Sequence, residues 1–134
     1  MNSRILVVMP PERRDRLVRF LSGTDAYLVE AEGVEDAHRI LSSAIPFDLT
    51  FVDAELRDGS WRDVLQFLIA TRQHCELVVC ARCGDERLWA EVIQCGAFDL
   101  VPEPMGRQEV LRIMNSALDS HYLDRFGRAA EARA

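Results

Sequence analysis

Four cysteines and one strand-terminal aspartate carry most of the reactive chemistry in this sequence. Cys80 and Cys83 form a C-x-x-C pair, while Cys75 and Cys95 stand apart. Such a pair serves as a redox couple or as half of a zinc site. A structural zinc site needs four ligands, and no second C-x-x-C and no paired histidines are present. His38, His74 and His121 are scattered without ligand spacing and are expected at the surface or at helix ends. A redox couple stays open beside the simpler expectation, in which Cys80 is a small core residue of a strand and Cys83 a loop residue. Asp53 follows the apolar run Leu49, Thr50, Phe51, Val52. A carboxylate is thus expected at the end of a buried strand, where it can accept a group or cap neighbouring N–H groups. No G-x-G-x-x-G follows the first apolar run, no G-x-x-x-x-G-K-[ST] occurs, and no G-x-S-x-G is present. A dinucleotide fold, a P-loop and a nucleophile elbow are therefore unsupported.

The elements that must position Asp53 alternate regularly. Ile5, Leu6, Val7 and Val8 form a continuous apolar run, as in a buried parallel strand. Pro10 and Pro11 suit the first turn of a helix, in which Leu17, Phe20 and Leu21 repeat at helical spacing before Gly23. A second, more polar strand is expected over 26–30. A helical stripe then runs through Val34, Ala37, Ile40, Leu41 and Ala44, closed by Pro46. Asp58, Gly59 and Ser60 read as a turn and cap leading into Trp61, Val64, Leu65, Leu68 and Ile69. Leu77 to Cys80 is a fourth strand. Gly84 and Asp85 start a helix with Leu88, Val92 and Ile93 inward, and a fifth strand spans 98–101. Five βα units in one short chain imply a parallel sheet with right-handed crossovers. The expected fold is a flavodoxin-like (βα)5 three-layer sandwich with strand order 2-1-3-4-5, whose site lies at the carboxyl ends of the strands.

The stretch Phe47, Asp48, Leu49, Thr50, Phe51, Val52, Asp53, then Leu56, Arg57, Asp58, Gly59, resembles response-regulator receiver domains around their phosphorylated aspartate. The resemblance continues through Cys95, Gly96, Ala97, Phe98, Asp99 and Pro102, Glu103, Pro104, and covers about 4–118. It implies that Asp53 stands at the phosphoacceptor position and that the backbone carbonyl of Glu55 is a metal-ligand position. It also implies a cis peptide before Pro104. Receivers carry an acidic pair for a divalent cation where this chain has Met9 and Pro10. They carry a hydroxyl where it has Ala81, a lysine where it has Glu103, and an aromatic switch residue where it has Leu100. Met9 and Pro10 offer no hard oxygen for magnesium. The substitution at position 103 sets a carboxylate facing a carboxylate. Phosphoryl transfer depends on cations that neutralise the moving group, so the resemblance implies a degenerate site. Arg82 is a candidate phosphate contact or a solvated loop charge. Glu12, one turn into the first helix, could swing toward the site as a displaced metal ligand beside Asp53 and Glu55.

The chain has 134 residues and a formal net charge of −6, which suits one domain with its own core. Neither a basic balance nor a basic stripe is visible, so direct nucleic-acid binding is not expected. No apolar run is long enough for a bilayer, and a cytoplasmic, non-enzymatic protein is expected. The resemblance implies a two-component signalling module that works by protein contacts with a histidine kinase or a downstream partner. Its cofactor is none, or magnesium if Asp53 is phosphorylated conventionally with displaced ligands. A redox protein using Cys80 and Cys83 is the alternative of another class. The receiver-like domain is expected over 1–120. Met114, Leu118, Tyr122, Phe126 and Ala130 recur every four residues. Residues 121–134 therefore read either as a helical extension that could form a homodimer or carry a signal, or as a tail folded back on the domain.

Overall fold

The computed structural model describes residues 2–82 and 86–133, with side chains as far as 124. Five strands form one sheet: β1 (Arg4–Val8), β2 (Tyr27–Ala31), β3 (Leu49–Asp53), β4 (Glu76–Ala81) and β5 (Asp99–Pro102). All neighbours pair in parallel, in the order β2-β1-β3-β4-β5, as the alternation of elements requires. The helices are α1 (Pro11–Ser22), α2 (Val34–Leu41), α3 (Trp61–Ala70), α4 (Glu86–Gln94) and α5 (Arg107–Arg133). A two-residue hairpin, Glu55–Leu56 with Gly59–Ser60, follows β3.

The pleat of the strands sorts their side chains into two cores, because successive residues face opposite ways. Ile5, Val7, Met9, Leu49, Phe51, Val78 and Cys80 face α1 and α5, and meet Leu17, Leu21, Val110, Ile113 and Ala117. Leu6, Val8, Val52, Leu77, Val79 and Ala81 face the other way, toward α2, α3 and α4. Every residue of β3 is buried, whereas edge strand β2 is partly exposed. Continuous apolar runs in the inner strands reflect this double-sided burial. Asp53 has the parity of Leu49 and Phe51, and so points toward the α1 side of the sheet.

Helix starts near the site are fixed by side chains. Ser60 caps α3: its hydroxyl accepts from the Arg62 N–H at 3.2 Å, and the Asp63 carboxylate accepts from the Ser60 N–H at 2.9 Å. Helix α2 borrows its cap from the loop after β3. Gly33 at its N-cap has no side chain, and the N–H groups of Val34 and Glu35 donate to Asp58 Oδ1 and Oδ2 at 2.8 and 3.0 Å. A Cβ on Gly33 would come within 2.5 Å of Asp58 Oδ1, so glycine is what lets the carboxylate approach. The two backbone hydrogen bonds hold the Asp58 carboxyl below its ordinary range. Asp58→Ala is expected to cost about 1 kcal/mol, the usual loss for a helix cap. The sign follows from the lowered value. The contribution is full above the unfolded carboxyl value of about 3.9 and is lost as pH falls through the lower folded value. Urea unfolding at neutral and acid pH checks this: the gap between the two proteins should close in acid.

Two expectations are corrected. Helix α2 ends at Leu41 with Ser42 as its C-cap, short of Ala44 and Pro46. There the Ser42 N–H and hydroxyl both satisfy the His38 carbonyl, which ends the helix early. His121 is not a surface residue. It is 4% exposed, and its Nε2 lies 2.9 Å from Asp48 Oδ1 without the geometry of a hydrogen bond. Beside it the Tyr122 and Ser3 hydroxyls are 2.8 Å apart. These contacts pin α5 to the amino-terminal edge of the sheet, and they reach past residue 120. Helix α5 continues to Arg133, a length of about 40 Å at 1.5 Å per residue. The side chains of Phe126 and Ala130 lie outside the described residues.

Candidate functional site

The carboxyl ends of β1, β3 and β4 set Pro10, Asp53 and Ala81 around one cleft, with Glu103 beside it in the turn after β5. Pro10 is the N-cap of α1, so the first turn of that helix rises directly beside the end of β3. Arg13 lies in that turn and reaches across to Asp53. Its Nε donates to Asp53 Oδ2 at 2.6 Å, and its Nη2 donates to Asp53 Oδ1 at 3.3 Å and to Glu103 Oε1 at 2.8 Å. One guanidinium therefore bridges two acids, Asp53 at the end of β3 and Glu103 in the turn just after β5. The side chains of Arg13, Asp53 and Glu103 are 12%, 5% and 29% exposed, so the Asp53 end is the dry end. The expected face-to-face carboxylates are thus corrected: a cation stands between them. Charge-assisted and partly bidentate, the bridge is of the stronger kind.

Burial pushes the Asp53 carboxyl above its ordinary value. The Arg13 charge and hydrogen bonds oppose this, and the Glu103 charge adds to it. Both Asp53 oxygens accept a hydrogen bond from Arg13, so its guanidinium stands on the carboxylate. A cleft of ≈ 440 Å³ opens over this point, lined by Pro10, Glu12, Arg13, Glu55, Arg57 and Arg82 among others. The cleft would admit a small donor, but Arg13 covers the nucleophile at its floor.

The other expected residues fall as follows. Met9 is fully buried in the α1–α5 core and does not turn to the site. Ala81 ends β4, buried on the opposite face, and Leu100 is buried against the same cluster. The Glu103–Pro104 peptide is cis. Glu12 is exposed at the rim of the same cleft, where it pairs with Arg57 at 3.4 Å. Glu55 and Arg82 are exposed at the rim. Cys80 is wholly buried, and burial first, then the Asp53 and Glu103 charges, push its thiol up. The thiolate is the reactive form, so the structure gives Cys80 no activation. Cys83 lies outside the described residues.

No protein-family model matches the chain. The response regulator protein PilR of Pseudomonas aeruginosa is 25% identical over 114 residues, which is 85% of this chain and 25% of that protein. The chain thus spans about a quarter of the length of the curated relative it matches. A signal receiver domain from Vibrio parahaemolyticus superposes with a TM-score of 0.85 at 20% identity, over 94% of this chain and 97% of that one. The chain has the receiver fold of response regulators. A Rhodopirellula baltica chain named as an adenylate cyclase shares that fold in full, with a TM-score of 0.86, 19% identity and complete coverage of both chains.

Within the receiver fold, the cation places can be tested against the residues present. Met9 and Pro10 supply no side-chain oxygen, and the Asp53–Glu103 gap holds a guanidinium. Among the described residues no group of three or more His, Cys, Asp or Glu is placed to hold a metal. These side chains do not fit a magnesium ion, which wants several hard oxygen ligands. Arg13 was not singled out in the sequence. The signal was there in part: Asp53 shares the parity of Phe51, toward α1, and Arg13 follows Pro10 by less than one turn. No helix among the described residues is long and apolar enough to cross a membrane.

Proposed function

We propose that this receiver-fold chain is a two-component signalling module that works through protein contacts, with Arg13 in place of the cations that would serve Asp53. The observation that carries this reading is the single guanidinium bound to both Asp53 oxygens and to Glu103. It supplies the acceptor with a counter-charge from within the chain and engages both of its oxygens. Contact is proposed at the α4–β5–α5 face, with a kinase or a downstream protein as partner. Trp89 and Ile93, 50% and 37% exposed and one turn apart on α4, give that face an apolar patch, with Ile93 turned outward against the expectation that it faces inward.

The test is treatment with acetyl phosphate and magnesium, read by intact mass. The unmodified mass is expected for the native chain, with no phosphoryl gain in it or in Asp53→Asn. A stoichiometric gain of one phosphoryl group that disappears in Asp53→Asn would establish a conventional phosphorylated receiver instead.

A further inference from the structure

We propose that a groove beside α1 binds a small phosphate ester non-covalently, through Arg16, Arg19 and Arg82. The groove, ≈ 620 Å³, lies between α1, the loop after β4 and the turn after β5. That volume is within the range of about 300–1,000 Å³ usual for small-ligand sites. Its charged lining is Arg13, Arg16, Arg19 and Arg82 against Glu12, Asp15 and Glu103. Several of these charges are already committed. Glu12 pairs with Arg57, and Arg13 with Glu103 and Asp53. Arg16, Arg19 and Arg82 make no ion pair among the described residues. Three free guanidinium groups therefore face one free carboxylate, Asp15.

This local excess of positive charge sits on a chain of net charge −6. Arg16 and Arg19 are three residues apart on one helix and so share a face. Arg82 is brought to them only by the fold. With Arg13 shared between Asp53 and Glu103, the groove keeps a net charge of about +1, which attracts the roughly −1.5 to −2 that a phosphate monoester carries near neutral pH. Guanidinium forks also match phosphate oxygens in a way that ammonium groups do not. Pro104 and the buried Met105 form an apolar part of the same lining, suited to the organic part of an ester. The site is separate from Asp53 chemistry, because nothing is transferred. Its failure would appear in a binding measurement, and that of the signalling reading in a mass measurement.

The experiment is an amide NMR titration of the full chain near neutral pH, at ionic strength held constant with chloride. The probes are inorganic phosphate, a nucleoside 5′-monophosphate and the parent nucleoside. Saturable shifts at Arg16, Arg19 and Arg82 are expected with the monophosphate, weaker ones with phosphate, and none with the nucleoside. Arg16→Gln with Arg19→Gln is expected to weaken monophosphate binding by about tenfold or more, the size of one charged hydrogen bond. Both side chains are exposed, so the fold should persist; Arg82→Gln alone gives an independent check. Four results would overturn the proposal: no saturable shift, equal binding of the nucleoside, inorganic phosphate binding as tightly as the ester, or affinities unchanged in the variants.

Discussion

Arg13→Met is expected to destabilise the protein by about 3 kcal/mol at neutral pH, the lower end of the range for removing one partner of a buried ion pair. The lower end is appropriate because the Glu103 side of the bridge is 29% exposed and screened by solvent. The Asp53 side is 5% exposed, and its carboxylate would be left buried without a cation. Double-variant unfolding in urea separates the terms. Asp53→Asn in the Arg13→Met background should recover most of the loss, because it removes the orphaned charge. The pH dependence has a defined sign. Burial already raises the Asp53 carboxyl, and loss of Arg13 raises it further. A raised carboxyl binds its proton more tightly in the folded state than in the unfolded one. Stability therefore falls as pH rises through that window, and the deficit of Arg13→Met should shrink on acidification. A deficit below about 1 kcal/mol, or one independent of pH, would show that the bridge is no more than a screened surface pair.

Trp61→Ala is expected to have the second large effect, about 3–5 kcal/mol, as for other buried aromatic truncations. Trp61 is 1% exposed, among the largest side chains of the core between the sheet and α2, α3 and α4. It is also the first residue of α3, and its N–H reaches the Ala54 carbonyl at 3.4 Å, next to Asp53. The ring thus fills the core, while the backbone N–H of the same residue ties down the loop that leaves the site. A typical domain has about 5–15 kcal/mol of total stability, so the loss is a large fraction of the whole. Urea midpoints should fall sharply for Trp61→Ala and much less for Trp61→Phe, which keeps a ring. Equal losses in the two would mean that the indole N–H or its edge, and not its volume, carries the contribution.

The two kinds of residue behind these predictions were not equally legible. Trp61 was readable from spacing, because Trp61, Val64, Leu65 and Leu68 recur at helical period behind the Ser60 cap. Asp53 was readable as a strand end for a similar reason: Leu49, Phe51 and Val52, with only the β-branched Thr50 among them, lead directly into it. Periodicity is local, and it survives any tertiary arrangement of the elements. The sheet order came from the same source, since βα alternation and crossover handedness leave few topologies. The losses at Met9, Pro10, Ala81 and Glu103 were also visible, as residue types at positions set by the resemblance.

What the tertiary structure decided concerns pairs far apart in the chain. Arg13 meets Asp53 across 40 residues and Glu103 across 90. Asp58 caps a helix that begins 24 residues earlier. His121 finds Asp48 under the sheet. A long flexible side chain has many rotamers, and helix α1 alone offers Arg13, Arg14, Arg16 and Arg19. Only the packing of α1 against the end of β3 selects the one that reaches the carboxylate. The sequence by itself determined the receiver-like frame and the place of Asp53, because local periods and apolar runs encode them. The fold alone decided that Asp53 carries its own counter-ion, because charge pairing depends on distances that sequence separation does not set.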